Sequence, residues 1–526
     1  MLLQLNDVAA VSGAKRSIDE LLSVHSEWFL AQDGGAPLGL GCGEFDFSID
    51  HRRLIFSSWT ETGSRSWRIT AWSWTGDKLL LEASRRMGAE VARLELVPRA
   101  SAKAIVASIA AARQVRCDQL AQIVAQTLVC DSSAEDHRLK SVPPAKIERA
   151  VLSPGMRRDQ PGRYARIVLR RPPERIAVTA TVANSDARNV DSLFSSALLW
   201  FNRLQQRPQR PVIEKLLIAV EHNILEAARQ RHVLLRDSLR QRIELCEIDE
   251  AWQKVDPVRA FERRNFWRKR LTRLPPVIED ETTERVKQII ASAPHAIDVV
   301  TARHGQTLRY HGLPFARVRH VMDRDRIWFG IEGSRRRLLD EYHEQDWTKL
   351  FDDLESYRHE DCRDRHHWLY RAAGEAWLES ILRRDISKLD PGLIVAPLHA
   401  QFRTSHGGPT GARPIDLLAL RHDGRLAVIE LKVNEDREHV FQGVDYWRRV
   451  EAHRRRGHIS SARLFGEREI SEESPLVYLV APTLRFHPSF ATLARTIAPD
   501  IEVYRFDINE DWRAGVRTVR RERVNA

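Results

Sequence analysis

At 526 residues the chain exceeds what one ordinary hydrophobic core holds, and two to four domains are expected. A hydrophobic fraction of 43% with 29% charged residues describes a soluble globular protein, and no run of about 18 apolar residues is present to cross a membrane. Lys and Arg total 83 against 72 Asp and Glu, and the resulting +11, carried mostly by arginine, favours a polyanionic partner. The five cysteines, Cys42, Cys117, Cys130, Cys246 and Cys362, lie far apart without paired spacing, which argues against a disulfide framework or a zinc knuckle and fits a reducing cytoplasm.

Residues 1–100 read as a β-rich module. HRRLIFSSWT, SRSWRITAWSW, KLLLEASR and AEVARLELVPR are strand-like runs between turn signals. Trp59, Trp67, Trp72 and Trp74 are interleaved with Arg65 and Arg68, a pattern that suits base stacking but equally the core of a small sheet. An alanine-rich helix over Ser101 to Leu128 and a polar, proline-bearing stretch at 131–162 follow. Residues 166–252 then give strand, strand, helix, strand, helix and strand in turn.

Residues 256–345 begin with AFERRNFWRKRLTRLPP, where Phe261, Phe266 and Trp267 stand among basic residues. That run fits a phosphate-binding helix or a solvated one. GQTLRYHG, LPFARVRHV and DRIWFGIEG predict a second β-module, and Asp346 to Arg358 a helix.

The most informative stretch runs from Arg413 to Val450. Ile415 to Leu420 and Arg425 to Val433 are apolar β-formers, and His422-Asp423-Gly424 between them fits a three-residue hairpin loop with Gly in the left-handed position. That loop sets Leu418 opposite Val428 and Asp416 opposite Glu430, with Lys432 on their face. Both faces are otherwise apolar, so the hairpin belongs in the middle of a covered sheet, and two acids and a lysine meet at its open end. Two carboxylates about 5 Å apart can share a hard cation such as Mg²⁺ or Mn²⁺, and a lysine beside them can position an attacking water or neutralise developing charge. The chemistry predicted is metal-assisted phosphodiester hydrolysis. A purely structural ion-pair cluster is the competing reading, a poor one because buried salt bridges stabilise little.

Upstream, the helical HHWLYRAAGEAWLESIL carries Glu375, a candidate outer ligand, with Glu379 one turn later as its rival. Before the hairpin, LIVAPLHAQF supplies a strand and SHGGPTGARP a glycine-rich link suited to gating substrate. After it, Gln442 and Tyr446 lie four apart on one helical face, either as site residues or as a packing pair. Arg448, Arg449, Arg454, Arg455 and Arg456 form a cationic ridge suited to nucleic-acid phosphates. SPLVYLVAP and IEVYRFDI close the sheet.

Asp416, thirteen intervening residues and Glu430-Leu431-Lys432 resemble the D…(D/E)xK signature of the PD-(D/E)XK, or restriction-endonuclease-like, nuclease superfamily, with Pro414 displaced by one from the usual proline. Glu375 is similar to the first-helix glutamate of Holliday-junction-resolvase-like and archaeal mismatch-endonuclease-like members, which share a tRNA endonuclease-like domain. Gln442 to Tyr446 is similar to the QxxxY element of RecB-like members. The resemblance covers roughly residues 365–510. It implies an α/β fold, a mixed sheet flanked by helices. It also implies a divalent-metal-dependent nuclease, with Asp416, Glu430 and Glu375 as metal ligands, Lys432 acting on water, and Gln442 and Tyr446 in support.

Residues 166–252 repeat the element order of this region. Arg175-Ile176-Ala177-Val178 matches Arg425-Leu426-Ala427-Val428, Leu199-Trp200 matches Tyr446-Trp447, and Ile248 to Trp252 matches Ile508 to Trp512. In that register Arg166, Ala180 and Val182 replace Asp416, Glu430 and Lys432, so the copy is a degenerate pseudo-nuclease and the chain an intramolecular pseudo-dimer. The expected domains are a β-module over 1–100, the degenerate α/β domain over 101–255, the basic helix with a small β-module over 256–345, and the nuclease-like domain over 346–526. The alternative function is a catalytically silent nucleic-acid-binding or assembly subunit that keeps the fold.

Overall fold

A computed structural model describes the chain except residues 1, 26, 34–37, 42–43, 61–62, 76–77, 86–89, 131–144, 156–159, 184–188, 207–210, 260, 269–270, 272, 275–282, 303–304, 322–323, 332–336 and 404–413. The glycine-rich link expected to gate substrate lies outside the described residues but for its last, Pro414. The protein is mixed α/β and forms two compact units. One comprises Met1–Leu169, Thr179–Asn184 and Glu332–Arg335; the other comprises Arg170–Val178, Ser185–Ile331 and Arg336–Ala526. Among the described residues no helix is long and apolar enough to cross a membrane.

The first unit opens with an eight-stranded antiparallel sheet running from Leu3 to Pro98. Alternation along its strands turns Phe47, Leu54, Phe56, Trp67, Ile69, Leu81 and Leu94 into one core, against which Trp72 and Trp74 also pack. Those tryptophans are core aromatics. A long helix, Arg99–Cys130, follows.

A six-stranded sheet comes next, and the division between the units falls within two of its strands. They are β1 (Lys146–Leu152), β2 (Tyr164–Arg171), β3 (Glu174–Thr181), β4 (Ile213–Glu221), β5 (Ile243–Ile248) and β6 (Val255–Pro257), in the order β6-β5-β4-β3-β2-β1. Helix α1 (Val190–Gln205) links β3 to β4, and α2 (His222–His232) links β4 to β5. β4 and β5 are parallel, β5 and β6 antiparallel.

In the second unit a five-stranded antiparallel meander, Ile297–Ala302 to Arg337–Leu338, packs on the helix Glu344–Tyr357 through Phe315, Phe329, Trp347 and Phe351. Arg358 fastens the meander to the helical segment that carries Leu369, Ala372 and Trp377. It is fully buried, donates to the carbonyls of Tyr310, His311, Leu369 and Ala372 at 2.6–2.9 Å, and lies over the Trp377 ring.

The last sheet repeats the order of the first six-stranded one: β7 (His399–Phe402), β8 (Ile415–Leu420), β9 (Leu426–Leu431), β10 (Leu476–Pro482), β11 (Val503–Ile508) and β12 (Thr518–Arg523). β8 and β9 are antiparallel, β9, β10 and β11 parallel, and β12 antiparallel to β11. Helix α3 (Gly374–Arg384) precedes the sheet, α4 (His439–Arg454) joins β9 to β10, and α5 (Phe490–Ala494) joins β10 to β11. Both faces of the hairpin are covered, as its sequence requires. Leu417, Ala427, Ile429 and Leu431 pack with Trp377, Leu378 and Leu382 of α3, while Leu418, Leu426 and Val428 pack with Tyr446 and Val450 of α4.

The exposed edge strands β1 and β12 escaped the sequence reading. Their residues are largely exposed and charged, so no apolar period marks them. The expected strand over LIVAPLHAQF is confined to its last residues, His399–Phe402.

Candidate active site

The hairpin has the register its loop dictates. Gly424 takes a positive φ of 78°, the Arg421 amide donates to the Arg425 carbonyl at 2.9 Å, and Leu418 faces Val428. Continued past the Leu417–Ile429 pair, that register sets Asp416 opposite Glu430 at the open end. Asp416 accepts a 2.9 Å hydrogen bond from the Leu431 amide, and Lys432 donates to Glu430 Oε1 at 2.8 Å.

Two glycines let helices close on this end of β9. A Cβ on Gly443 would lie 2.5 Å from Leu479 Cδ2 and 3.8 Å from Glu430 Cβ, so α4 lies directly on the strands beside the acid. A Cβ on Gly374 would lie 2.9 Å from Val433 Cγ2, which brings the start of α3 to the same place. Glu375 therefore comes within 4.0 Å of Lys432 Nζ. Glu379 does not: it is buried one turn on, bonded to Arg309 at 3.3 Å and Gln401 at 2.6 Å. Of the two candidate outer acids, Glu375 is the one at the cluster.

One further acid had not been singled out. Asp436 lies 3.7 Å from Lys432 Nζ, and its Oδ1 is held at 2.7 Å by the Glu438 amide. Its four-residue spacing from Lys432 was the available signal, but it sits on a loop, where no periodicity marks it. His439, also missed, is buried with Nε2 3.3 Å from the Glu430 carbonyl and its ring stacked on Phe486. Burial and the nearby Lys432 charge push its pKa down to about 3.

The electrostatics follow from burying like charges together. Burial pushes Glu430 up to about 8, and Asp416 adds to the rise while Lys432 opposes it. Asp416 is itself pushed up to about 6 by burial, against the pull of Lys432 and the Leu431 amide. Near neutral pH the two acids together keep a proton. Glu375, half-exposed, is raised above the ordinary glutamate value by the partial desolvation of its carboxyl, and Lys432, surrounded by acids, is raised as well.

Glu430 Oε2 and Gln442 Oε1 are buried without a fixed hydrogen-bond donor, and the proton that the acids keep joins the Asp416 and Glu430 carboxyls. A buried pair of carboxyls joined by a proton can exchange that proton for a cation. The donor set there, carboxylate oxygens, is the hard-oxygen type that Mg²⁺ or Mn²⁺ takes, with one or two protein carboxylates sufficing when substrate phosphate completes the shell. Asp416 and Glu430 would hold such an ion, with Glu375 at the periphery. Among the described residues no three or more His, Cys, Asp or Glu side chains are arranged to hold a metal. Lys432 Nζ lies among Glu375, Glu430 and Asp436 instead.

Tyr446 is buried, its ring under the Arg449 guanidinium at 4.5 Å, and burial with the Glu430 and Asp416 charges raises its hydroxyl above the usual phenol range. The five arginines beyond it have intramolecular partners. Arg448 and Arg449 bind Asp445, Arg454 and Arg455 bind Glu451, and Arg456 donates to the Trp267 and Ala452 carbonyls. Arg455, half-exposed, also covers Trp267.

Comparison with protein-family models, with curated proteins and with solved structures finds no match to this chain.

Proposed function

We propose that the last sheet with α3 and α4 is a restriction-endonuclease-like core and that the protein is a divalent-metal-dependent nuclease hydrolysing phosphodiester bonds, with DNA as the expected substrate. The observation that carries this reading is the meeting of Asp416, Glu430, Lys432 and Glu375 at one strand end, with the Asp416 and Glu430 carboxyls held against each other. A bound Mg²⁺ would supply Lewis acidity toward the phosphate and charge neutralisation for the attacking water. Lys432, anchored by Glu430 at 2.8 Å, orients that water and screens developing negative charge. Gln442, with its free carbonyl oxygen, orients a water or the lysine, and Tyr446 closes the apolar side of the site.

One feature favours the alternative, a subunit that binds nucleic acid without cutting it. Lys432 already pairs with Glu430 and lies 3.7 Å from Asp436, supplying positive charge where a metal ion otherwise would. The test is cleavage of end-labelled single-stranded, duplex, branched and RNA substrates with Mg²⁺ or Mn²⁺, beside Asp416→Asn and Lys432→Ala. Metal-dependent cutting lost in both variants supports the nuclease. Absence of divalent-ion binding, with affinity for nucleic acid unchanged in Asp416→Ala, supports the binding subunit.

A further inference from the structure

We propose that the first six-stranded sheet, with α1 and α2, is a catalytically decayed in-chain partner of the last sheet, and that the protein acts on duplex DNA as a one-chain pseudo-dimer severing one strand per encounter. The second half of this statement rests on the nuclease function proposed for the last sheet; the first stands on topology and packing.

The two sheets share strand order, the parallel pair and the antiparallel closing strand, with α1 in the place of α4 and α2 in the place of α5. Shared order alone is weak, since many βαβ segments have it. The packing is what distinguishes the pair. α1 packs against α4; α1 packs against α5 just as α4 packs against α2. Exchanging the copies maps this set of contacts onto itself, the property of an isologous two-fold interface. Its axis runs through an antiparallel bridge between Leu235, just after α2, and Ile497, just after α5. Arg236 donates to the Thr496 carbonyl at 2.9 Å, and Ala498 donates to the Leu234 carbonyl at 2.9 Å. The same exchange turns one of these bonds into the other.

Leu234, Leu235 and Ile497 are completely buried, and Phe194 meets Phe441 at 6.0 Å between ring centroids across the α1–α4 contact. Arg231 bridges Asp191 of α1 and Asp445 of α4, both at 2.6 Å. A second copy of the whole chain could not use this surface. It is already filled.

The catalytic positions of the partner are empty of chemistry. The Val182 amide donates to the Arg163 carbonyl at 3.0 Å, which fixes the hairpin register and sets Ala180 opposite Ala165. Those alanines, both fully buried, stand where Glu430 and Asp416 stand in the other copy, and buried Val182 stands where Lys432 does. Sequence matching had assigned Arg166 to the Asp416 position. The shift of one arises because the hairpin loop holds two residues, Pro172 and Pro173, instead of three.

A two-fold protein on duplex DNA aligns its axis with the dyad of the helix, so each half addresses one of the antiparallel strands. Here one half alone carries acids and a lysine.

Two measurements on the full chain test the proposal. Light scattering of the free protein, and of Asp416→Asn on a short duplex, is expected to give one 60.6 kDa chain, alone and per duplex. A protein of twice that mass, or two chains per duplex, overturns the pseudo-dimer whether or not any DNA is cut. On supercoiled plasmid with Mg²⁺, nicked circles are expected to accumulate before linear DNA forms. Linear product appearing together with the first nicks overturns single-strand scission. Failure to cut any substrate sinks the nuclease reading and with it the strand-scission claim, and leaves the decayed partner to be judged by the mass.

Discussion

Glu430→Gln isolates the charge on which the site is built. In the native protein the Glu430 carboxyl is pushed from 4.5 up to about 8, so the folded state holds a proton that the unfolded chain gives up. An acid whose folded pKa is raised contributes full stability below its unfolded value. That contribution erodes as pH climbs through the interval and is gone above the folded value. Between pH 6 and pH 8 the loss from this group is about 2 kcal/mol, at 1.36 kcal/mol per pKa unit with partial ionisation near the upper end. For a unit of this size that is a fall of about 3 °C in midpoint. Asp416, pushed up to about 6, has lost most of its share before this window opens.

Glutamine has the same shape and no charge to titrate, so the variant should lose far less stability over the same window. On the function proposed above, excess Mg²⁺ is expected to bind the ionised acids and so to restore the wild-type midpoint at pH 8 while leaving Glu430→Gln unmoved. The assay is thermal unfolding at pH 6, 7 and 8, with and without Mg²⁺. Parallel loss in the two proteins, or an equal response of both to Mg²⁺, would refute the argument that Glu430 is a protonated acid waiting for a cation.

Gly443→Ala sets a Cβ 2.5 Å from Leu479 Cδ2 in a packed core, and should cost about 1–3 kcal/mol in urea unfolding; a change near zero would mean that α4 does not rest on the sheet there. Arg358→Met leaves the carbonyls of Tyr310, His311, Leu369 and Ala372 without their donor, so a loss of about 3 kcal/mol or more is expected. Lysine at that position, with a single nitrogen, should recover little of it. Arg231→Ala strands Asp191 in the interior and removes one of the three cations around Asp445, a loss of about 3–5 kcal/mol. Arg231→Met combined with Asp191→Asn should regain most of that loss, since Asp445 keeps Arg448 and Arg449, and a combination as unstable as the single variant would sink the charge argument.

The hairpin was legible because everything that specifies it is local. An apolar period of two, a loop with glycine at the left-handed position, and acids where leucine should stand fix register, burial and site together. Glu375 could be placed in a helix but not distinguished from Glu379. What decides between them is the approach of Gly374 to Val433, a contact between segments 59 residues apart in sequence. Asp436 and His439 escaped because a loop acid and a buried neutral histidine look like surface until the fold is closed around them. The hairpin of β2 and β3 was matched to β8 and β9 in order but misaligned by one, since a shorter loop changes the pairing sum without changing the strand pattern.

The arginine ridge shows where periodicity stops informing. From His439 to Trp447 every residue of α4 is buried, although the segment contains histidine, glutamine and aspartate. Such a helix reads as a solvated one with a polar face, because hydropathy does not separate a charge facing water from a charge facing an opposite charge. α4 is covered on two sides. Gly443 and Tyr446 turn toward the strands, Gly443 beside Glu430, while Phe441 and Asp445, one helical turn apart, turn toward α1 and α2. Asp445 then needs cations, and Arg231, Arg448 and Arg449 supply them from α2 and α4. Two residues of the ridge are thus consumed where α4 packs on α1 and α2. The helix that carries Tyr446 is the helix that packs on α1 and α2, so a disturbance at Arg231 reaches Gln442 and Tyr446 through a single rigid element.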